Sequence, residues 1–156
     1  MAAAGNDKGI VFTEKVSFPS CEFIAIFPTK TRRTLSNDGA LATEMVISVK
    51  PENDAVFRAE CQPLSDRALM LRGFRDLLQR YISVLGLRDS QVSIRNGKLG
   101  VIGTFSGLKT EQMHTFRFHG QYTVGRHSAM YQMVVEPAVS FPSEKTSFFL
   151  DSVAKR

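Results

Sequence analysis

What this chain lacks narrows its function before anything it contains does. No apolar run approaches the ~20 residues that a membrane-spanning helix needs, so no transmembrane segment is expected. No block of roughly five like charges occurs, so the net charge of +5 is mild basicity spread along the chain. That balance suits an acidic partner or surface without building a polybasic arm. Zinc-type spacing is missing, since there is neither a Cys-X-X-Cys nor a His-X-X-X-His pattern. The Gly-X-Ser-X-Gly elbow of serine hydrolases is missing as well. There are only two cysteines, too few for a disulfide framework. Cys21 starts one apolar stretch and Cys61 ends another; buried free thiols are expected, with a bridge left open in an oxidising compartment. Internal repeats and low-complexity tracts are absent too.

What is present reads as one globular domain. At 156 residues, 43% hydrophobic and 22% charged, the chain can bury a core without staples. Residues 1–8 read as a loose tail and 9–156 as the domain. The opening MAAAGNDKG is too short and polar for an intact signal peptide. The Ala2, Ala3, Ala4 run suits either a flexible terminus or the remnant of a trimmed signal, so the compartment stays open between cytoplasm and envelope.

The most informative stretch is 64–86, LSDRALMLRGFRDLLQRYISVLG. Leu71, Phe74, Leu78, Tyr81, Ile82 and Leu85 recur at steps of three and four, which puts them on one helical face. Arg67, Arg72, Arg75, Asp76, Gln79 and Arg80 fall largely opposite. Ser65 is the expected N-cap and Gly86 the expected left-handed stop, giving a single helix over 65–85. Around it lie strand-like segments. Short pieces at 10–13 and 16–18 flank a hairpin turn at Glu14 and Lys15. Residues 21–27 are apolar on both faces, as in a covered central strand, and Pro28 ends them.

A polar loop with Lys30, Arg32 and Arg33 runs into the Asn37, Asp38, Gly39 turn. Residues 41–50 and 55–61 form a meander about a turn at 51–54, with Ala55, Phe57, Ala59 and Cys61 inside and Val56, Arg58 and Glu60 outside. After the helix, 91–95 reaches the hairpin dipeptide Asn96, Gly97, and 98–105 returns. Gly100 and Gly103 there suggest a bulge or a close backbone contact. A loop at 106–110 precedes paired strands at 113–124 and 128–136, and a short helix opens at Ser143 with Phe148, Phe149, Leu150 and Val153 as its apolar side. The expected fold is α+β: an antiparallel sheet of about six main strands, one long central helix packed on it, and a short C-terminal helix.

This order resembles the PsbP-like fold. The resemblance rests on the Phe23 to Pro28 strand, the meander and helix behind it, and the glycine-bearing hairpin. The long pair ending in Tyr131, Gln132, Met133, Val134, Val135 adds to it. The closing Phe149, Leu150, Asp151, Ser152, Val153 is similar to a Phe-Leu-X-Ser-Phe ending, with Val153 where Phe is usual. It covers residues 9–154. That fold is shared by the extrinsic oxygen-evolving subunit of photosystem II, a nuclear Ran-binding protein and envelope proteins of the DcrB type. No residue selects the photosynthetic or nuclear branch, so the resemblance implies a bacterial relative with an accessory, surface-mediated role.

Candidate chemistry points the same way. His114 and His119 differ by an odd number and so face opposite sides of a strand. His119 is expected opposite Met130 or Tyr131, away from His127, and no metal site is expected. Cys21 lies in too apolar a setting for an activated thiolate. The glycines at 97, 100 and 103 open no helix, hence no phosphate loop. Phe116 and Phe118 alternate with Arg117 and His119 as core within and polar without, unlike a sheet that stacks bases, so nucleic acid is not expected. No catalytic residue and no cofactor are expected. The reading is a non-enzymatic module that binds an acidic protein partner through Lys30, Arg32, Arg33, Arg72, Arg75, Arg117 and His119. The alternative is a binder of a small hydrophobic ligand held between helix and sheet.

Overall fold

The structure, a computed structural model, describes residues 14–19, 21–28, 31–36, 43–50, 55–140 and 144–156, with the backbone alone for 32–36, 43–50, 140 and 144. The tail at 1–8, the piece at 10–13, Lys30 and the turns at 37–39 and 51–54 lie outside the described residues, as does Ser143.

The described residues form ten strands: β1 (Glu14–Ser17), β2 (Phe23–Phe27), β3 (Thr31–Ser36), β4 (Thr43–Lys50), β5 (Ala55–Pro63), β6 (Arg88–Asn96), β7 (Val101–Glu111), β8 (His114–Val124), β9 (Ser128–Pro137) and β10 (Ala154–Lys155). The helices are α1 (Arg67–Arg72), α2 (Phe74–Leu85) and α3 (Glu144–Asp151). The fold is α+β, as expected, but with two antiparallel sheets. Three strands run β1-β2-β10 and seven run β3-β4-β5-β9-β8-β7-β6. The expected sheet of about six main strands is instead one of seven beside one of three, because β3 is too polar to show as a strand and β2 belongs to the small sheet.

On one face the small sheet and α3 enclose Phe23, Phe27, Phe57, Met130, Val134 and Phe149. Phe149 is the keystone, its ring 4.8 Å from Phe27 and 5.4 Å from Phe57. The C-terminus therefore docks as expected through Phe149, while Phe148 is 49% exposed. On the other face α2 buries Phe74, Leu78 and Ile82 against Phe105, Tyr122 and Tyr131. A Cβ on Gly103 would sit 2.5 Å from the Phe74 ring, so that glycine lets the helix approach the sheet.

Several expectations are corrected. The single helix over 65–85 is two helices meeting at Gly73, whose φ of −97° and ψ of 12° leave helical geometry. The apolar stripe stays in phase across the break, which is why periodicity alone did not reveal it. Asp66, not Ser65, caps α1 by accepting from the Leu69 N–H at 3.0 Å. Glu14 and Lys15 are not a turn: they sit in β1 opposite Phe27 and Ile26. Arg32 and Arg33 are not in a loop but in β3, paired with Ile47 and Val46. The 106–110 loop is the second half of β7. Glu60 is 6% exposed, not outward, because α2 and its neighbours cover that face too. Opposite His119 stands Val134; Tyr131 pairs with Tyr122.

Cys21 and Cys61 are not free thiols. They form a disulfide that bolts the segment before β2 to β5. A crosslink closing such a loop stabilises a fold by roughly 2–4 kcal/mol, mainly by restricting the unfolded chain.

Candidate functional site

In an up-and-down sheet, alternate turns share an end. The β6–β7 turn, the β8–β9 turn and the exit of β5 therefore meet at one end; Pro63 pairs with Ser128, and the Leu64 N–H donates to the His127 carbonyl at 2.8 Å. The first residue of α1 and the last strand, β10, reach the same place. Four cations from four segments, Arg67, Lys98, Arg126 and Lys155, line a cavity of about 370 Å³ there.

Backbone geometry holds this end together. The Gly97 N–H donates to the Gly100 carbonyl at 2.7 Å and closes the β6–β7 turn. Gly100 has φ of +151°, and a Cβ on it would collide with the Val124 carbonyl oxygen, so only glycine lets the two turns pack together. Arg67 Nε donates to the Gly125 carbonyl at 2.7 Å, which fixes the guanidinium at the mouth of the β8–β9 turn. Glu22, the carboxylate close by, is engaged by the backbone N–H groups of Arg126 (2.8 Å) and His127 (3.0 Å). The ion pairs Arg58–Glu60, Arg88–Asp89, Lys109–Glu111 and His119–Glu136 lie elsewhere and include none of the four cations. Four cations against the Glu22 carboxylate leave the cluster net positive, and such an excess favours an anion among them.

Beside this pocket, and sharing Gly97, Lys98 and Leu99 with it, is a groove of about 330 Å³. Its larger apolar side chains are Leu99, Ile102, Leu150 and Val153; Arg95 and Asp151 also line it, with opposite signs.

The residues singled out in the sequence do not gather into one site. Lys30 lies outside the described residues. Arg32 and Arg33 lie on β3, the edge of the large sheet farthest from β6. Arg72 and Arg75 are exposed on either side of the Gly73 break. Arg117 and His119 do come together, but they are half-buried instead of outward. Arg117 pairs in register with Glu136, and His119 Nε2 is 3.7 Å from Glu136 Oε1. Glu136 is 1% exposed and accepts from Thr146 Oγ1 at 2.6 Å. Gln121 and Gln132 extend this polar seam, donating to the Leu150 and Phe149 carbonyls at 2.8 and 2.9 Å. The seam anchors α3 to the sheet, and a shallow trough of about 240 Å³ beside His119 is lined by Ser93, Thr104 and Ser106.

Under α2 the three tyrosines stack. Tyr122 and Tyr131 have ring centroids 4.6 Å apart, and the Tyr81 and Tyr122 hydroxyls are 2.9 Å apart. Burial first, then the Tyr81 neighbour, pushes the hydroxyls of Tyr122 and Tyr131 far above the ordinary tyrosine range. They are core groups that stay neutral. Among the described residues no group of three His, Cys, Asp or Glu side chains is placed to hold a metal ion, and no helix is long and apolar enough to cross a membrane.

The four cations went unmarked in the sequence because they are spread from position 67 to 155. A signal existed nonetheless: Lys98 and Arg126 each follow a turn glycine, and both turns belong to the same end of one meander.

No protein-family description matches this chain. No curated protein matches it either. Among solved structures, it is similar to a crystal structure of a protein from Bacteroides thetaiotaomicron VPI-5482, with 12% identity and a TM-score of 0.59. The match covers 94% of this chain and 49% of the other, so the chain spans about half the length of that protein. At that identity the likeness is one of fold alone.

Proposed function

We propose that this protein is a non-catalytic accessory module that binds an acidic protein partner through the end formed by the β6–β7 and β8–β9 turns. The observation that carries this reading is the convergence of Arg67, Lys98, Arg126 and Lys155 on one cavity with no carboxylate among the described residues that line it. A rigid scaffold presenting loop charges in this way sets association rate and orientation. The PsbP-like resemblance belongs to the same reading and supplies the accessory role. The Cys21–Cys61 disulfide favours an oxidising compartment, which agrees with the envelope branch of that resemblance. A nucleic-acid reading is weaker, because Phe105, Tyr122 and Tyr131 are buried under α2 and offer bases no stacking face.

The test compares two charge reversals. Lys98→Glu, Arg126→Glu and Lys155→Glu together should leave the melting temperature nearly unchanged, since all three side chains are exposed. The same variant should lose co-purifying acidic partners, and wild-type binding should weaken as salt rises past about 0.15 M. Arg32→Glu with Arg33→Glu, at the far edge, should retain them. A triple variant that keeps every partner at low salt, or a wild type that turns over a substrate, defeats the proposal.

A further inference from the structure

The basic cavity does not stand alone. It shares the wall of Gly97, Lys98 and Leu99 with the apolar groove, so one turn separates a site for negative charge from a site for hydrocarbon. Leu99, Leu150 and Val153 are only partly buried against the core, which leaves apolar surface facing the groove. The charges that line it, apart from the shared Lys98, are Arg95 and Asp151, and they cancel. The polarity is therefore directional. An acid gains most among the four cations, and next to Asp151 it would gain least.

We infer that the occupant is a short linear segment of the partner in which an acidic side chain lies next to a bulky apolar residue. The acid enters the basic cavity and the apolar side chain lies on Leu99, Ile102, Leu150 and Val153. This rests on the binding-module reading and goes beyond it by naming what is read. At about 370 and 330 Å³, the two sites fall at the small end of ligand cavities, typically ~300–1,000 Å³, which suits one or two side chains each. An acyl chain would need a longer apolar channel than four side chains provide. Arg67, held through Nε by the Gly125 carbonyl, keeps its remaining N–H groups for a carboxylate and spends little side-chain entropy on binding.

The test uses the full chain, isotope-labelled, and three blocked hexapeptide arrays at low salt. One array carries an acidic pair beside leucine, isoleucine, phenylalanine or methionine, in both orders; the second carries the acidic pair among glycines; the third carries the apolar residue among glycines. The best acidic–apolar peptide should bind at least about tenfold tighter than any member of the other two, since burying one large apolar side chain supplies that much. Its amide shifts should be largest at Gly97, Lys98 and Leu99. Lys98→Glu and Leu99→Ser should each reduce that binding about tenfold or more. Equal binding of the acid-only array, equal binding of the apolar-only array, shifts centred elsewhere, or no binding by any array would each overturn the inference. If the charge-reversed triple variant still loses its partners in any of those cases, the binding-module reading survives and only the segment proposed here is wrong.

Discussion

The two ends of the large sheet differ in both chemistry and construction. At one end the 97–100 and 125–127 turns, the start of α1 and β10 are tied by Arg67 to Gly125, by Glu22 to Arg126 and His127, and by the closed Gly97 to Gly100 turn. At the other end the β7–β8 turn carries Gln112 and Met113 at φ of 50° and 70°, left-handed values that side chains other than glycine tolerate poorly. Met113 there is 96% exposed, as is Val139 of the short turn after β9, and the two help to line an open cavity of about 480 Å³. One end is basic and braced; the other is apolar and strained. An antiparallel meander makes this division available because alternate turns project from opposite ends, so each can evolve its own surface without disturbing the strands between. The braced end is the better candidate for recognition, since groups held in place by backbone hydrogen bonds lose less freedom when a partner arrives.

The difference can be broken from the basic side most severely. Gly100→Ala forces a Cβ onto the Val124 carbonyl and should cost about 1–3 kcal/mol in chemical denaturation, as overpacking does. It should also displace Arg126 and weaken binding along with stability. An unchanged midpoint would mean that the two turns are not locked together. From the apolar side the sign reverses. Met113→Gly should stabilise by about 0.5 kcal/mol, because relief of the left-handed strain outweighs the greater freedom of glycine when unfolded. Partner binding should not change. A loss of stability there would show that the Met113 side chain holds the turn.

Much of this fold was legible in the residues. The alternation of β5, the hairpin of β8 and β9, the apolar face around Leu78, the Gly86 stop and the docked Phe149 all follow from period and punctuation, which are local properties. The failures share a cause. Gly73 breaks the helix without breaking the stripe, because Leu71 and Phe74 stay in phase on either side of it. Glu60 looked solvated because alternation marks one inner face, whereas this sheet is covered on both. Spacing says nothing of whether Cys21 and Cys61 approach, since the small sheet that carries Cys21 toward β5 is a tertiary arrangement. The polarity of TRRTLS, which holds Arg32 and Arg33, hides an edge strand behind the look of a loop. The candidate site was the least visible part, being assembled from positions 67, 98, 126 and 155, and only the shared end of two turns hinted at it.

The basic end, and not the apolar one, is the surface proposed to bind. Titrating poly-glutamate into isotope-labelled full-length protein, and following every backbone amide, tests this most directly. The predicted result is a set of saturable shifts centred on Gly97, Lys98, Gly125 and Arg126 that fades as salt is raised, with Met113, His114 and Val139 unmoved. Shifts centred on Met113 and Val139, or spread evenly over all exposed cations, would contradict it.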